Sequence, residues 1–146
     1  MRYNNNVDYQ VRLINKRLIF MSAKNIGMIF GVIFIILGIL GFVGGMGIVG
    51  PEGLFQTDRT HDIIHLVSGL IFLFVAMKSA GSMGMVLKVF GIIYLLVALL
   101  GFFTGDVLGL FEVSMADNVL HLVLAVIFLW AGFMGGRSNG MMNSGM

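Results

Sequence analysis

Three histidines carry most of the chemistry this chain could do, and each lies within four residues of an aspartate. His61 and His65 are four residues apart, a spacing that sets two imidazoles on one helical face and can chelate a metal. His121 is a third candidate ligand. Asp62 points about 100° away from the His61–His65 pair on a helix, and no glutamate follows in the pattern of a helical zinc protease. The spacing alone therefore leaves three readings open. The imidazoles are helix-contact groups hydrogen-bonded to each other or to Ser68, or they hold a metal or haem, or they pass protons or ions. Ionisable residues within membrane helices default to functional hypotheses. The candidate polar site comprises His61, Asp62, His65, Asp117, Asn118 and His121. Its metal-ligand candidates are His61, His65 and His121, and no cofactor is predicted.

Other chemistry is sparse. Cysteine is absent, which excludes disulfides, thiolate metal sites and thiol nucleophiles. There is no phosphate-binding loop, no dinucleotide fingerprint and no Ser-His-Asp arrangement, and no basic patch interleaved with aromatics points to nucleic acid. Asp117 and Ser114 fit a helix N-terminal capping role, as do Thr57, Asp58 and Thr60 further upstream. No catalytic residue is assigned, and the chain is not expected to be an enzyme.

The elements that must position these residues follow from composition. Of 146 residues, 58% are apolar and only 11% charged. A soluble domain carries roughly a quarter charged residues, so too few are present for a water-facing shell. A bilayer core needs about 20 apolar residues per crossing helix. Four such runs are predicted, over about 26–49, 60–78, 85–104 and 116–136. They divide the chain into a basic leader (1–24), an all-α transmembrane domain (25–136) and a disordered tail (137–146). The leader segment Val7–Met21 reads either as a solvated topology signal or as an interfacial helix, and nothing in it resembles a cleavable signal peptide. The tail methionines are soft ligands in principle, although a floppy tail is the default.

Orientation follows from the basic residues. Arg2, Arg12, Lys16, Arg17, Lys24, Lys78, Lys88 and Arg137 all fall on one side of a four-span arrangement, and of nine Lys and Arg only Arg59 falls opposite. Lys and Arg near span ends stay in the cytoplasm. Both termini and the turn near residue 80 are therefore expected inside a cell (inner) membrane. Six of seven acids, and all three histidines, belong to the outer ends.

The two halves of the chain resemble each other. FGVIFIILGILGF (30–42) aligns with FGIIYLLVALLGF (90–102) at an offset of 60. GLFQTDRTHDIIHLVSGLIFLFVA (53–76) aligns with GLFEVSMADNVLHLVLAVIFLWAG (109–132) at an offset of 56. Each half is one helical hairpin, so the hairpins run parallel about a pseudo-two-fold axis along the membrane normal. His65 and His121 are counterparts, His61 aligns with Asp117, and Asp62 aligns with Asn118. An outer His–Asp contact is one expectation. The stripes His61, His65, Ser68/Gly69, Phe72, Ala76 and Asp117, His121, Ala125, Phe128, Gly132 should face the bundle interior. Gly27, Gly31, Gly41, Gly45, Gly69, Gly101, Gly105 and Gly132 are assigned to close helix packing.

At GLFQTDRTHDIIHLVSGL and MADNVLHLVLAVIFL the chain resembles the bacterial four-helix membrane proteins catalogued as domain of unknown function 4383. The likeness rests on Gly53, Leu54, Phe55, His61, His65, Leu66 and Gly69, and on Ala116, Asp117, Asn118, Leu120, His121 and Leu122. It spans roughly residues 25–135. Asp62 stands where that family usually has Asn, and Ala125 where it has Gly. The resemblance implies the four-helix membrane fold and supplies no mechanism. The expected role is a non-enzymatic helix-association or accessory protein, with the lipid bilayer, further copies of itself or another membrane protein as partners. The alternatives are a small transporter or channel with an outward His/Asp vestibule, and a metal- or haem-binding membrane protein.

Overall fold

The structure is a computed structural model. It describes residues 6–7, 9–10, 23–44 and 47–140, with no side chains for 135–140. Most of the basic leader, Gly45 and the tail beyond residue 140 lie outside the described residues, and with them the interfacial-helix and methionine-ligand readings.

The fold is all-α, with four helices long and apolar enough to cross a membrane. Helix α1 (Ala23–Val43) leads through a two-strand loop to α2 (Arg59–Lys78). A single 3-10 turn (Ala80–Ser82) then hands the chain to α3 (Met83–Thr104), and an irregular loop leads to α4 (Met115–Gly140). Pairs α1–α2 and α3–α4 pack closely as two hairpins. Outward faces are apolar and uncovered. Ile29, Val32, Ile33, Ile36 and Ile39 on α1 recur at helical spacing and are exposed, as is Trp130 on α4. Such a continuous apolar surface suits lipid and not water.

Helix α1 ends six residues before the expected Val49. Gly44 and Gly47 both adopt positive φ (76° and 75°), a conformation that stops a helix and that glycine accepts without penalty. Beyond them β1 (Val49–Gly50) pairs in parallel with β2 (Phe55–Gln56). Hydropathy alone cannot separate this apolar loop from the helix before it. At the other end of the chain, α4 runs four residues past the expected 136, into the segment assigned to a disordered tail. No proline interrupts it there.

Corresponding residues of the two halves make corresponding contacts. A β-carbon on Gly31 would collide with Leu73, and one on Gly91 with Leu129, so each hairpin closes around the same glycine–leucine pair. Buried and exposed positions alternate identically along 31–40 and 91–100. Gly27, Gly69 and Gly132 also leave no room for a β-carbon, against Met83, the Gly31 backbone and Lys88 respectively. Gly105 does not pack. It caps α3 at φ 76° with open space around it, because its backbone N–H turns back to the Gly101 carbonyl. Its place at the end of a glycine ladder in the sequence reflects helix termination.

The centre of the bundle is aromatic. Phe34, Phe72 and Phe128 are almost completely buried, with Tyr94 nearly so. Phe34 meets Phe72 edge-on at 5.6 Å and Phe128 at 6.2 Å, and Tyr94 meets Phe128 edge-on at 5.6 Å. Edge-to-face geometry suits the ring quadrupoles.

Candidate functional site

Two helix starts build the site, and each is fixed by its own cap. Asp58 accepts a hydrogen bond from the His61 backbone N–H (2.8 Å), closing the first turn of α2. At the corresponding position in the second half, Ser114 Oγ accepts from the Asp117 N–H (3.1 Å), and Asp117 Oδ2 accepts from the Ser114 N–H (2.8 Å). This is a reciprocal capping box with Asp in place of Glu. Asp117 Oδ2 also accepts from the Gln56 backbone N–H (3.0 Å), and Ser114 Oγ lies 3.1 Å from the Leu54 carbonyl. The second hairpin's cap therefore ties down the first hairpin's loop.

These caps bring the three histidines together. His61, His65 and His121 are all buried, and one nitrogen from each lies within 4.8 Å of the others. His61 occupies the middle, its ring centroid 4.6 Å from His65 and 5.7 Å from His121. Phe111, from the α3–α4 loop, covers His61 at 4.8 Å. Below, Phe34 stacks on His65 (5.8 Å) and its counterpart Tyr94 lies against His121 (5.1 Å). The cluster lines a cavity of about 70 Å³ together with Leu37, Val49, Phe55, Thr57, Asp117 and Leu120. Above it opens a wider groove of about 460 Å³ lined by Asp58, Asp106, Glu112, Thr57 and Phe111. Thr57 lines both spaces, and Phe111 separates the groove from His61.

The hydrogen bonding of the cluster is incomplete. Neither ring nitrogen of His61 has a partner, nor has Nδ1 of His65 or of His121. The Gln56 backbone lies near His61, and the Asp117 backbone near His121, without reaching hydrogen-bond geometry. The expected His61–Asp117 contact is not a hydrogen bond either. Asp117 is engaged by Gln56 and Ser114, and His61 turns its ring among His65, Phe111 and His121. Hydrogen bonds from His65 to Ser68 or to His121 at Nδ1 are likewise absent. An unsatisfied buried polar group costs about 1–3 kcal/mol. Four such nitrogens belong to three residues that line one small cavity.

Asp62 and Asn118 belong to a different contact. Both are buried and turn toward the first helix of their own hairpin, Asp62 against Gly41 and Asn118 against Gly101. Oδ1 of each lacks a hydrogen-bond partner, as does the nearby Thr57 Oγ1. The six polar residues thus divide into the histidine cluster with Asp117 at its edge and two helix-packing insertions. The lid residue Phe111, the ring partners Phe34 and Tyr94, and the loop tie from Asp117 to Gln56 were not legible as site residues. The offset of 60 that pairs Phe34 with Tyr94, beside the offset of 56 that pairs His65 with His121, was the available signal.

No curated protein and no solved structure shows significant similarity to the chain. The family described as Domain of unknown function (DUF4383) matches residues 24–134, a stretch that takes in nearly all of the four long apolar helices and the whole histidine cluster, and the chain belongs to that family.

Proposed function

We propose that this protein is a multi-pass membrane protein of the cell membrane that binds a small ligand in the histidine chamber, from the outer side, and acts through binding and association and not through catalysis. The observation that carries the reading is that His61, His65 and His121, each with a buried ring nitrogen lacking a partner, line one small cavity together. Positive-inside placement of Lys and Arg supports cytoplasmic termini and a cytoplasmic residue 80 turn, and with them an outward chamber. The uncovered apolar faces of the helices are met by lipid, by a further copy of the chain or by another membrane protein.

A transporter or channel is the less favoured reading because of what lies beneath the chamber. The aromatic centre begins directly against His65 and His121, which Phe34 and Tyr94 contact, and its rings are closed on one another. Buried Phe72, Phe128 and Ala76 leave no run of polar groups along the axis. The test is reconstitution in liposomes. The binding reading expects no flux of protons, sodium or potassium above empty vesicles. Flux that disappears in His65→Ala and His121→Ala would establish transport instead.

A further inference from the structure

We infer that His61, His65 and His121 together bind one divalent first-row transition-metal ion, with the fourth coordination position open to the chamber. The inference deepens the binding reading above and rests on it for the side from which the ion enters.

Three observations converge on this ligand. The first is composition of the cluster. Imidazole is a borderline ligand that suits zinc, copper, nickel and iron, and three of them with an open position form a recurrent ligand set. The second is distance. Ligand nitrogens on one zinc stand about 3.3 Å apart for bonds of about 2.0–2.1 Å in a tetrahedron. The three nitrogens here lie within 4.8 Å of one another, so closure takes small rotations of rings already on one cavity. The third is burial with an unfilled hydrogen-bonding capacity: all three imidazoles are buried, and each has at least one ring nitrogen without a hydrogen-bond partner, which for His61 holds of both.

The surroundings favour a cation over a neutral or anionic ligand. Asp117 lines the cavity with the three histidines, and Asp58 caps the helix turn that carries His61. The groove above carries Asp58, Asp106 and Glu112, which would concentrate cations at the Phe111 lid. Asp117 is held by Gln56 and Ser114 at the cavity edge, so it contributes charge beside the ion without being needed as a ligand. The cavity of about 70 Å³ accommodates the ion and one or two water-sized ligands, since a liquid water occupies about 30 Å³.

The test uses the full chain, purified in detergent without a polyhistidine tag, stripped with chelator and reloaded with zinc or cobalt. Elemental analysis should give roughly one zinc per chain, and cobalt should give the visible absorption of a low-symmetry site. X-ray absorption of the zinc form should show a shell of three imidazoles. The chain has only three histidines, so that shell identifies the site without any mutation. The variant H61Q/H65Q/H121Q should retain less than about a tenth of the metal if it folds. A helical wild-type protein that stays metal-free, a zinc shell poor in imidazole, or a folded triple variant that still binds zinc would each overturn the inference. If the triple variant fails to fold, the absorption spectrum of the wild type decides alone. A three-imidazole zinc site found on the cytoplasmic side would uphold the metal and remove only the outward reading.

Discussion

The Asp62 carboxylate stands in the space that a β-carbon on Gly41 would occupy. Asn118 stands in the same relation to Gly101 in the second hairpin. Each α2-type helix thus docks on its neighbour by inserting a short polar side chain over a glycine, one turn from the end of the preceding helix. This contact fixes the height and rotation of the helix start, and therefore where His61, His65 and His121 point.

Replacing Gly41 or Gly101 with Ala should destabilise the bundle by about 1–3 kcal/mol, as overpacking does. Gly105→Ala meets no neighbour but must hold a left-handed conformation, and should cost about 1 kcal/mol. Unfolding in mixed micelles measures all three. Full stability in Gly41→Ala would show that Asp62 is free to leave its place.

Asp62→Asn should fold and be as stable as the parent, or up to about 2 kcal/mol more stable, because it keeps the shape and removes a charge that must be desolvated. The counterpart position already holds an amide in Asn118, and the new NH2 group would face the unpartnered Thr57 Oγ1. A loss of more than about 1 kcal/mol would mean that the charge at this position is used.

Much of this arrangement could be read from the sequence. Four long apolar runs and a skewed set of basic residues give the spans, and self-similarity at two offsets pairs His65 with His121 and Asp62 with Asn118. The limits are equally physical. Hydropathy does not register Gly44 and Gly47 turning to positive φ, so the apolar loop 47–50 reads as more helix. A glycine ladder does not distinguish Gly101, which receives Asn118, from Gly105, which caps a helix end. The tie between Asp117 and the Gln56 backbone depends on tertiary placement of an irregular loop, which no periodicity encodes.

The double substitution His65→Leu with His121→Leu should leave insertion intact, because both residues lie near a helix end, where polar groups cost little and apolar ones are accepted. Helicity should be unchanged in a circular dichroism spectrum, since two unsatisfied Nδ1 groups are replaced by apolar volume. Metal retention should be lost. Failure of this variant to enter the membrane would show that the imidazoles are needed for folding itself.

The side of the membrane that the chamber faces is tested most directly by cysteine labelling, for which the absence of native cysteine gives a clean background. Leu110→Cys lies on the exposed loop beside the Phe111 lid, and Gly81→Cys in the open turn between α2 and α3. A membrane-impermeant maleimide applied to intact cells should label Leu110→Cys at once and Gly81→Cys only after permeabilisation. The reverse pattern, or labelling of both from one side, would contradict the outward-facing histidine chamber.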